Sequence, residues 1–207
     1  MSFDVDVSVR LDGAEISVRF TASEGLTVLF GPSGVGKTSV LNMIAGLIRP
    51  ARGHVRVAGE TLFDAGMGID LPPERRRVGY VFQEPRLFPH LRVRANLLYG
   101  HGLARPEDRW LGLEEAAHFL DITPLLDRWP RSLSGGEARR VAIGRALLSA
   151  PKFLLLDEPL SSLDRARREE IMRGIEHIRD TMRLPILMVT HDAAEAERLA
   201  THVVEMG

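Results

Sequence analysis

The chain has 207 residues, of which 44% are hydrophobic and 27% are charged, and its formal net charge at pH 7 is -1. This composition is typical of a globular protein of one or two domains; it argues against a dedicated nucleic-acid binder, and no stretch approaches the roughly 18 uninterrupted apolar residues that a membrane span needs. The chain contains no cysteine, which excludes disulfides and thiolate metal sites and is consistent with a reducing cytosol.

The first twenty residues alternate between apolar and polar side chains. One alternating run covers residues 3–11, Asp12-Gly13 follows it, and a second run covers residues 16–20. A period of two is typical of strands with one buried face, and Asp-Gly is a common turn between paired strands. We therefore predict an N-terminal β-hairpin. Asp4 and Asp6 lie where a secretory signal would be basic, so neither secretion nor a membrane span is expected.

A continuous apolar run, Leu26–Phe30, leads into a glycine-rich segment and then a helical pattern to about Ala45. The segment matches the complete phosphate-loop pattern G-x-x-x-x-G-K-[ST], between a buried strand and a helix. Glycines let backbone N–H groups turn toward phosphates, and the helix adds its positive N-terminal end. Lys37 is expected to contact the β- and γ-phosphates, and Thr38 to offer its hydroxyl to Mg²⁺. The predicted nucleotide-binding residues are Gly31, Pro32, Ser33, Gly34, Val35, Gly36, Lys37, Thr38 and Ser39.

The phosphate loop predicts a bound nucleotide but does not separate kinases, GTPases and ATPases. Downstream, the segment Asp64–Pro73 is rich in glycine and proline and is predicted to be a surface loop. Two arginine-rich stretches, one at residues 75–77 and one formed by Arg165, Arg167 and Arg168, are interpreted as solvent-exposed faces. Their charge alone assigns them no function.

Further apolar runs at residues 78–82, 153–156 and 186–189 are predicted to be buried strands, each followed directly or after an insertion by helical periodicity. Strands that alternate with helices indicate a mostly parallel sheet. Between residues 84 and 150 the pattern is helical, near residues 93–99, 114–120 and 137–148. We therefore predict a helical subdomain inserted into the sheet domain.

Two carboxylates, Asp157 and Glu158, follow the apolar run at residues 153–156. Ligands of open α/β sheets bind at the carboxyl ends of parallel strands, where Asp157 could hold Mg²⁺ through its water shell. Glu158 could then orient and partly deprotonate a water that attacks the γ-phosphate. Taken alone, the pair could equally be a helix cap; the complete phosphate loop favours the catalytic interpretation.

The deciding segment is Leu133-Ser134-Gly135-Gly136-Glu137, which is followed by Arg139-Arg140 and a helix to Leu148. Together with the phosphate loop it resembles the nucleotide-binding subunit of ATP-binding-cassette (ABC) transporters. The resemblance extends over about residues 20–205. Further motifs match the family in its order: Gln83, the interface loop Ser161-Ser162-Leu163-Asp164, and His191.

The resemblance implies a P-loop NTPase (RecA-like) α/β fold with a mostly parallel sheet core, an N-terminal antiparallel β subdomain and an inserted α-helical subdomain. The core would comprise about residues 1–83 and 151–207, and the helical subdomain about 84–150. Importer subunits of this type often continue into a regulatory domain. None is expected here, because the chain stops at Gly207 after an apparent final strand.

The resemblance also implies an ATPase with ATP and Mg²⁺ as cofactors. Gln83 would sense magnesium and the attacking water, and His191 would contact the γ-phosphate. Alone, Gln83 could be a hydrogen-bonded amide at a strand end, and His191 a mere neighbour of a helix N-terminus. The implied catalytic residues are Lys37, Gln83, Glu158 and His191, and the implied magnesium ligands are Thr38, Gln83 and Asp157.

Residues 134–136 open a helix, so their N–H groups and one hydroxyl would form a second anion site. The family implies that this site lies too far from the phosphate loop of the same chain for one ATP to reach both. The segment 133–137 of a partner would then cap the γ-phosphate, with residues 161–164 crossing the interface. We therefore expect a head-to-tail homodimer with two-fold symmetry.

The sequence departs from the family pattern at two places. Glu137 stands where the family often has glutamine, which is tolerable because that side chain need not touch phosphate. The family commonly stacks adenine on an aromatic residue of the first strand or its turn, but Ser8–Glu15 contains none. No adenine-stacking residue is therefore assigned, and we expect loose base selectivity.

Within the family, residues 76–90 and 96–100 are most similar to the ATPase subunit of molybdate importers, although similar runs occur in sulfate and iron importers. This implies ATP hydrolysis that drives uptake of a small oxyanion through a separate membrane permease, with molybdate as the expected cargo. A periplasmic substrate-binding protein would be an indirect partner. The chain would lie peripherally on the cytoplasmic face of the inner membrane.

The segment after Gln83 combines apolar residues with arginine and histidine, which suits a groove for a short helix of the permease. The alternative is that these residues form the core of the helical subdomain. They are Leu87, Phe88 and Leu91 beside Arg86, His90 and Arg92.

Other functions compatible with the motifs are an ABC ATPase of a sulfate, iron or export system and a nucleic-acid- or ribosome-associated cassette ATPase. The latter usually carries two cassettes or long coiled-coil insertions, and this sequence has neither, so no nucleic-acid partner is expected. A non-hydrolysing nucleotide sensor is disfavoured by Glu158.

Overall fold

A computed structural model of the chain describes residues 2–161 and 163–207. Within that range the chain forms two five-stranded sheets and a set of α-helices. The strands are β1 (Phe3–Leu11), β2 (Ala14–Ala22), β3 (Leu26–Phe30), β4 (Arg52–Val57), β5 (Glu60–Asp64), β6 (Ile69–Asp70), β7 (Val78–Val81), β8 (Phe153–Asp157), β9 (Ile186–Thr190) and β10 (His202–Glu205). The helices are α1 (Lys37–Ala45), α2 (Val93–Leu103), α3 (Leu113–Phe119), α4 (Gly135–Leu148), α5 (Arg165–Met182) and α6 (Ala193–Leu199).

The first sheet is antiparallel, in the order β2-β1-β4-β5-β6. Its β1–β2 pair runs in continuous register and turns at Asp12 and Gly13, both with positive φ, which confirms the predicted hairpin. Strands β4 and β5 extend the hairpin into a full sheet and are not predicted from the sequence.

The predicted surface loop Asp64–Pro73 is wrong in part, because Ile69 and Asp70 form β6 and pair with β5. Asp64 causes this return of the chain: its Oδ1 accepts hydrogen bonds of 3.0 Å from the N–H groups of Gly66 and Met67. A strand of two residues is too short to show any periodicity in the sequence.

The second sheet is parallel throughout, in the order β10-β3-β9-β8-β7. Its central strands β8 and β9 are buried along their whole length, as expected when helices or a second sheet cover both faces. This confirms the predicted α/β fold with a parallel core. Parallel neighbours end at one edge of the sheet, so the residues that follow β3, β7, β8 and β9 gather there.

Two hydrophobic clusters cover the two faces of the parallel sheet. On one face, Leu155 and Leu187 pack with α1 and with the inner face of the antiparallel sheet. On the other face, Leu154, Leu156 and Met188 pack with α2–α6. Successive strand residues point to opposite faces, so the strands β8 and β9 supply both clusters.

Between β7 and β8 the chain forms α2, α3 and α4. Gly144 lets these helices approach one another: a Cβ at this position would lie 2.9 Å from Leu97 Cδ2 and 3.0 Å from Leu120 Cδ1.

No helix within the described residues is both long and apolar enough to cross a bilayer.

Arg76, which the sequence analysis placed on an exposed face, is 1% exposed. Its Nη1 donates to Met43 O at 2.9 Å and to Ile44 O at 2.8 Å, and its Nε donates to Leu71 O at 2.7 Å. The interpretation of this arginine as solvated is therefore wrong. The last carbonyl groups of a helix lack partners within it; here Met43 O accepts from Gly46 N as well as from Arg76, and Ile44 O accepts from the guanidinium.

Candidate functional site

The segment Gly31–Gly36 connects β3 to α1 at the carboxyl edge of the parallel sheet. Gly34 and Gly36 have φ values of 85° and 102°, a region that favours glycine. Gly31 is required for a different reason, because a Cβ there would lie 2.1 Å from Met206 O of the chain that passes beside it. The loop conformation therefore depends on glycine at each of these positions.

Lys37, the first residue of α1, is buried with 4% exposure. Its Nζ donates hydrogen bonds of 2.8 Å to Gly31 O and to Pro32 O. A buried ammonium group must be hydrogen-bonded, and here its acceptors belong to the loop itself. The positive charge therefore lies against the backbone that the sequence predicts to hold phosphates.

Thr38 and Asp157 meet at the same edge, where Thr38 Oγ1 donates to Asp157 Oδ1 at 3.0 Å. Burial raises the pKa of the Asp157 carboxyl, and the hydrogen bond from Thr38 opposes this shift. A hydroxyl and a carboxylate side by side fit Mg²⁺, which prefers oxygen ligands. The described residues hold no cluster of three or more His, Cys, Asp or Glu side chains suited to a metal, so Mg²⁺ bound here would take its other ligands from phosphates and water.

Gln83, Glu158 and His191 come together although they follow three different strands. Gln83 Nε2 donates to Glu158 Oε2 at 3.4 Å, and His191 Nδ1 lies 3.2 Å from Glu158 Oε1. Glu158 has a left-handed backbone with φ of 44°, and its N–H is bonded to Val189 O at 3.1 Å. A strained, fixed backbone of this kind is common at functional sites. These three side chains border a cavity of about 280 Å³, whose lining residues are Gln83, Glu158, Ser161, Arg168, Thr190, His191, Asp192 and Glu195.

Several residues of this cavity are not identified by the sequence analysis. Thr190 Oγ1 donates to Glu195 Oε2 at 2.5 Å, and burial raises the pKa of the Glu195 carboxyl. Asp192 caps α6 by accepting from Ala194 N at 2.9 Å. The signal available in the sequence is the capping pattern Asp192-x-x-Glu195, which marks a helix start directly after His191.

The segment 133–137 begins α4 with a capping box. Ser134 Oγ accepts from Glu137 N at 3.3 Å, and Ser134 N donates to Glu137 Oε2 at 2.6 Å. The Ser134 N–H lowers the pKa of the Glu137 carboxyl. A Cβ on Gly135 would meet no atom within 4 Å, so the helix start is open at this point. Within the described part of the chain, no hydrogen bond or ion pair joins this segment to residues 31–39.

The predicted interface loop lies between Glu158 and α5. Ser161 Oγ donates to Glu158 O at 2.9 Å, and Asp164 caps α5 by accepting from Arg167 N at 3.0 Å. Leu163 packs against the core. Ser162 lies outside the described residues. The loop is thus bonded directly to the backbone of the predicted catalytic carboxylate.

The segment after Gln83 is organised by the buried Asn96 of α2. Asn96 Oδ1 accepts from Phe88 N at 2.8 Å, and Asn96 Nδ2 donates to Leu91 O at 2.9 Å. The centroid of the Phe88 ring lies 4.6 Å from that of the exposed Tyr99 and 5.0 Å from the guanidinium carbon of Arg145. Aromatic and basic groups therefore share this surface.

Comparisons with known proteins identify a family and relatives whose sequences are similar to this chain. The profile described as "ABC transporter" matches residues 15–161. The "Molybdenum import ATP-binding protein ModC" of Mesorhizobium japonicum is 51% identical over 204 residues, which are 99% of this chain and 55% of that protein. The chain thus spans about half the length of this curated relative.

Solved structures add to these findings. The cbiO1 protein of Clostridium perfringens, part of the ABC transporter complex cbiONQ, superimposes with a TM-score of 0.82 and 27% identity, over 99% of this chain and 84% of cbiO1. An ATP-binding cassette solved as a dimer in a post-hydrolysis state, bound to ADP and Pi, superimposes with a TM-score of 0.77 and 25% identity, over 98% of this chain and 92% of that protein.

Proposed function

Since the chain belongs to the ABC transporter family, we propose that it binds and hydrolyses ATP with Mg²⁺ to drive uptake of molybdate through a membrane permease. The single observation that carries the ATPase part is the convergence of Gln83 and His191 on Glu158, at the edge of the sheet that also holds the phosphate loop. The similarity to a molybdenum import ATP-binding protein supports the cargo.

In the proposed mechanism the phosphates of ATP lie on the backbone of residues 31–39. Lys37 exchanges its bonds to the loop carbonyls for bonds to the β- and γ-phosphates. Thr38, Asp157 and Gln83 would hold Mg²⁺, which when bound would neutralise charge that develops on the phosphates.

Glu158 acts in this mechanism as the base that orients and partly deprotonates the attacking water. His191 lies beside it at 3.2 Å and contacts the γ-phosphate. Gln83, bonded to the other carboxylate oxygen of Glu158, contacts the same water. Each role requires the side chains to lie close together before ATP arrives, and their mutual contacts bring them to one place.

The cap over the γ-phosphate comes from a second copy of the chain in this proposal. Residues 133–137 of one protomer face the phosphate loop of the other, and residues 161–164 cross the interface between them. The open start of α4 at Gly135 supports this role, since it leaves helix N–H groups free for an anion. A similar cassette forms a dimer bound to ADP and Pi.

The proposed permease contact is the surface around Phe88, where aromatic and basic groups meet. Such a surface accepts a short amphipathic helix. The subunit would then lie on the cytoplasmic face of the membrane, and a periplasmic molybdate-binding protein would deliver cargo to the permease. Within this proposal cargo never touches the chain itself.

Phosphate release from Mg-ATP tests the enzyme assignment. The wild-type chain should hydrolyse ATP, and Glu158→Gln should lower the rate by about 100-fold or more, the effect of losing a general base, while the affinity for ATP stays within about threefold. Glu197→Gln, a change at an exposed residue of α6, is the control and should retain the wild-type rate. Full hydrolysis by Glu158→Gln would exclude the proposed role.

The cargo is tested in vesicles that contain the permease. Uptake should require ATP and should be faster for molybdate than for sulfate at equal concentration. Equal transport of both anions, or transport of sulfate alone, would contradict the molybdate assignment and leave the ATPase assignment intact.

A further inference from the structure

Arg168 lies in the cavity beside Glu158, although the sequence analysis placed it on a solvent-exposed face. It belongs to the first turn of α5, and its side chain is about one third exposed, at 35%. Its Nη1 donates to Asp192 Oδ2 at 2.7 Å and lies 3.6 Å from Glu195 Oε1. The exposed-face interpretation is therefore wrong for this residue.

The carboxylates that Arg168 contacts hold both chain neighbours of His191. Glu195 accepts from the hydroxyl of Thr190, the residue before the histidine. Asp192, the residue after it, donates its N–H to that same hydroxyl at 3.1 Å. The His191 backbone is thus fixed from both sides by groups that converge on one guanidinium.

The ring of His191 has little support of its own. Its side chain is 52% exposed, and the contact recorded for it is with Glu158. The position of the ring therefore depends on the two residues that flank it. Among the described residues that line this cavity, Arg168 is the only arginine or lysine, against the carboxylates of Glu158, Asp192 and Glu195.

Arg168 also belongs to the helix that starts at the interface loop. Arg168 N donates to Asp164 O at 2.9 Å, and Asp164 is the capping residue of α5. Ser161, at the other end of the loop, is bonded to the backbone of Glu158. Asp164 and Ser161 thus connect the interface loop to the helix of Arg168 and to the backbone of Glu158.

We propose that Arg168 is a positioning residue: it ties α5 to the residues on either side of His191 and so holds the histidine in place for the γ-phosphate. This inference rests on the proposed ATPase function. It assigns Arg168 no contact with ATP, so its loss acts on the chemical step and not on nucleotide binding.

Arginine suits this role better than lysine. Its Nη1 contacts both carboxylates from the end of a long side chain, whereas lysine carries a compact point charge on a shorter one. Arg168→Lys keeps the charge and should restore part of the activity that Arg168→Met loses. Recovery by the conservative variant separates a specific positioning effect from general damage to the helix.

The test compares steady-state ATP hydrolysis by the wild type, Arg168→Met, Arg168→Lys and Arg173→Met. Arg173 is the matched control, since it lies on the same helix, is exposed, and pairs with Glu169 at 3.7 Å outside the cavity. Arg168→Met should lower kcat by about 10- to 100-fold, the effect of a small misplacement of a reacting group, with KM for ATP within about twofold. Arg173→Met should match the wild type, and Arg168→Lys should fall between.

A second measurement keeps the result interpretable if Arg168→Met is less stable. In the Glu158→Gln background hydrolysis should be at least about 100-fold slower, and adding Arg168→Met there should leave the affinity for ATP unchanged. An unchanged kcat in Arg168→Met, an equal loss in Arg173→Met, or a loss confined to KM would each overturn the inference. A wild-type chain that fails to hydrolyse ATP would instead overturn the proposed function.

Discussion

At the scale of single residues, the phosphate loop contains two glycines with left-handed backbones in different surroundings. A Cβ on Gly34 would meet no atom within 4 Å, whereas a Cβ on Gly36 would lie 2.8 Å from Ile16 Cγ2. Gly36 also precedes α1 directly. A substitution at Gly34 therefore measures the free energy cost of a left-handed backbone alone. A substitution at Gly36 adds the cost of the steric contact with Ile16.

Replacing each glycine by alanine should give different losses of stability. Gly34→Ala should cost about 1–2 kcal/mol, the penalty of a left-handed residue with a Cβ, and lower Tm by roughly 2–8 °C. Gly36→Ala should cost more, because Ile16 must also move. Thermal unfolding measures both losses, and adding Ile16→Ala should reduce the difference between the two variants. Equal losses with and without Ile16 would show that the contact has no energetic role.

Residues that belong to a motif can be predicted from the sequence. Whether a charged side chain is exposed or buried depends on the fold, and the sequence does not predict it. Lys37, Thr38 and Glu158 are identifiable because the glycine spacing and the strand-end carboxylate rarely occur together outside nucleotide-binding sites. Arg76 and Arg168 are misplaced because an arginine in the sequence shows only its charge. The carbonyls and carboxylates that receive these two guanidinium groups come from segments distant in the chain.

At the scale of elements, helix α1 is closed at its C-terminal end by Gly46 and by the guanidinium of Arg76. Gly46 has φ of 81°, and a Cβ there would lie 2.6 Å from Arg76 Nε. The glycine therefore both ends the helix and makes room for the arginine. Since α1 starts at Lys37, this contact also fixes the helix that carries the phosphate loop.

Arg76→Met should destabilise the chain strongly. It leaves the carbonyls of Ile44 and Leu71 buried without their donor, and the loss of such bonds to a buried charged group costs about 2–4 kcal/mol. Tm should fall by roughly 4–16 °C. The neighbouring Arg75 is exposed, so Arg75→Met is the control and should change Tm by less than about 2 °C. Similar losses in both variants would contradict the capping role of Arg76.

Helix α4 offers a pH-dependent prediction through its capping box. The Ser134 N–H lowers the pKa of Glu137 in the folded state, so the carboxylate stabilises the fold above its unfolded pKa, and this contribution is lost as pH falls through the lowered folded pKa. Glu137→Gln should therefore cost about 0.3–1 kcal/mol at pH 7. The difference from the wild type should shrink as the pH approaches that of carboxylate protonation. A Tm difference that does not change with pH would exclude this electrostatic contribution.

Elements with continuous apolar or alternating patterns that lead into a helix or a turn are predicted correctly from the sequence, and β4, β5 and β6 are not. The β1–β2 hairpin, β3 and α1 have unbroken patterns. By contrast, β4 alternates Arg52, His54 and Arg56 with Val55 and Val57, but the run is short and the sequence analysis did not identify it. The pairing of β4 with β1 joins segments far apart in the chain, and no local pattern reveals it.

At the scale of the whole molecule, the proposed site is incomplete in one chain. The phosphate loop, Asp157 and Glu158 lie at one edge of the parallel sheet, whereas the second anion-binding segment starts α4 in the helical insertion. Neither segment is bonded to the other within the described residues. The proposed mechanism therefore takes the capping segment of each site from a second chain.

The most direct test of this central claim is the mass in solution of the Glu158→Gln variant, measured by light scattering with Mg-ATP present and with nucleotide absent. We predict a dimer with Mg-ATP and a monomer without it, because ATP held between two protomers joins them and cannot be hydrolysed. A chain that binds Mg-ATP and stays monomeric at high protein concentration would contradict the composite site.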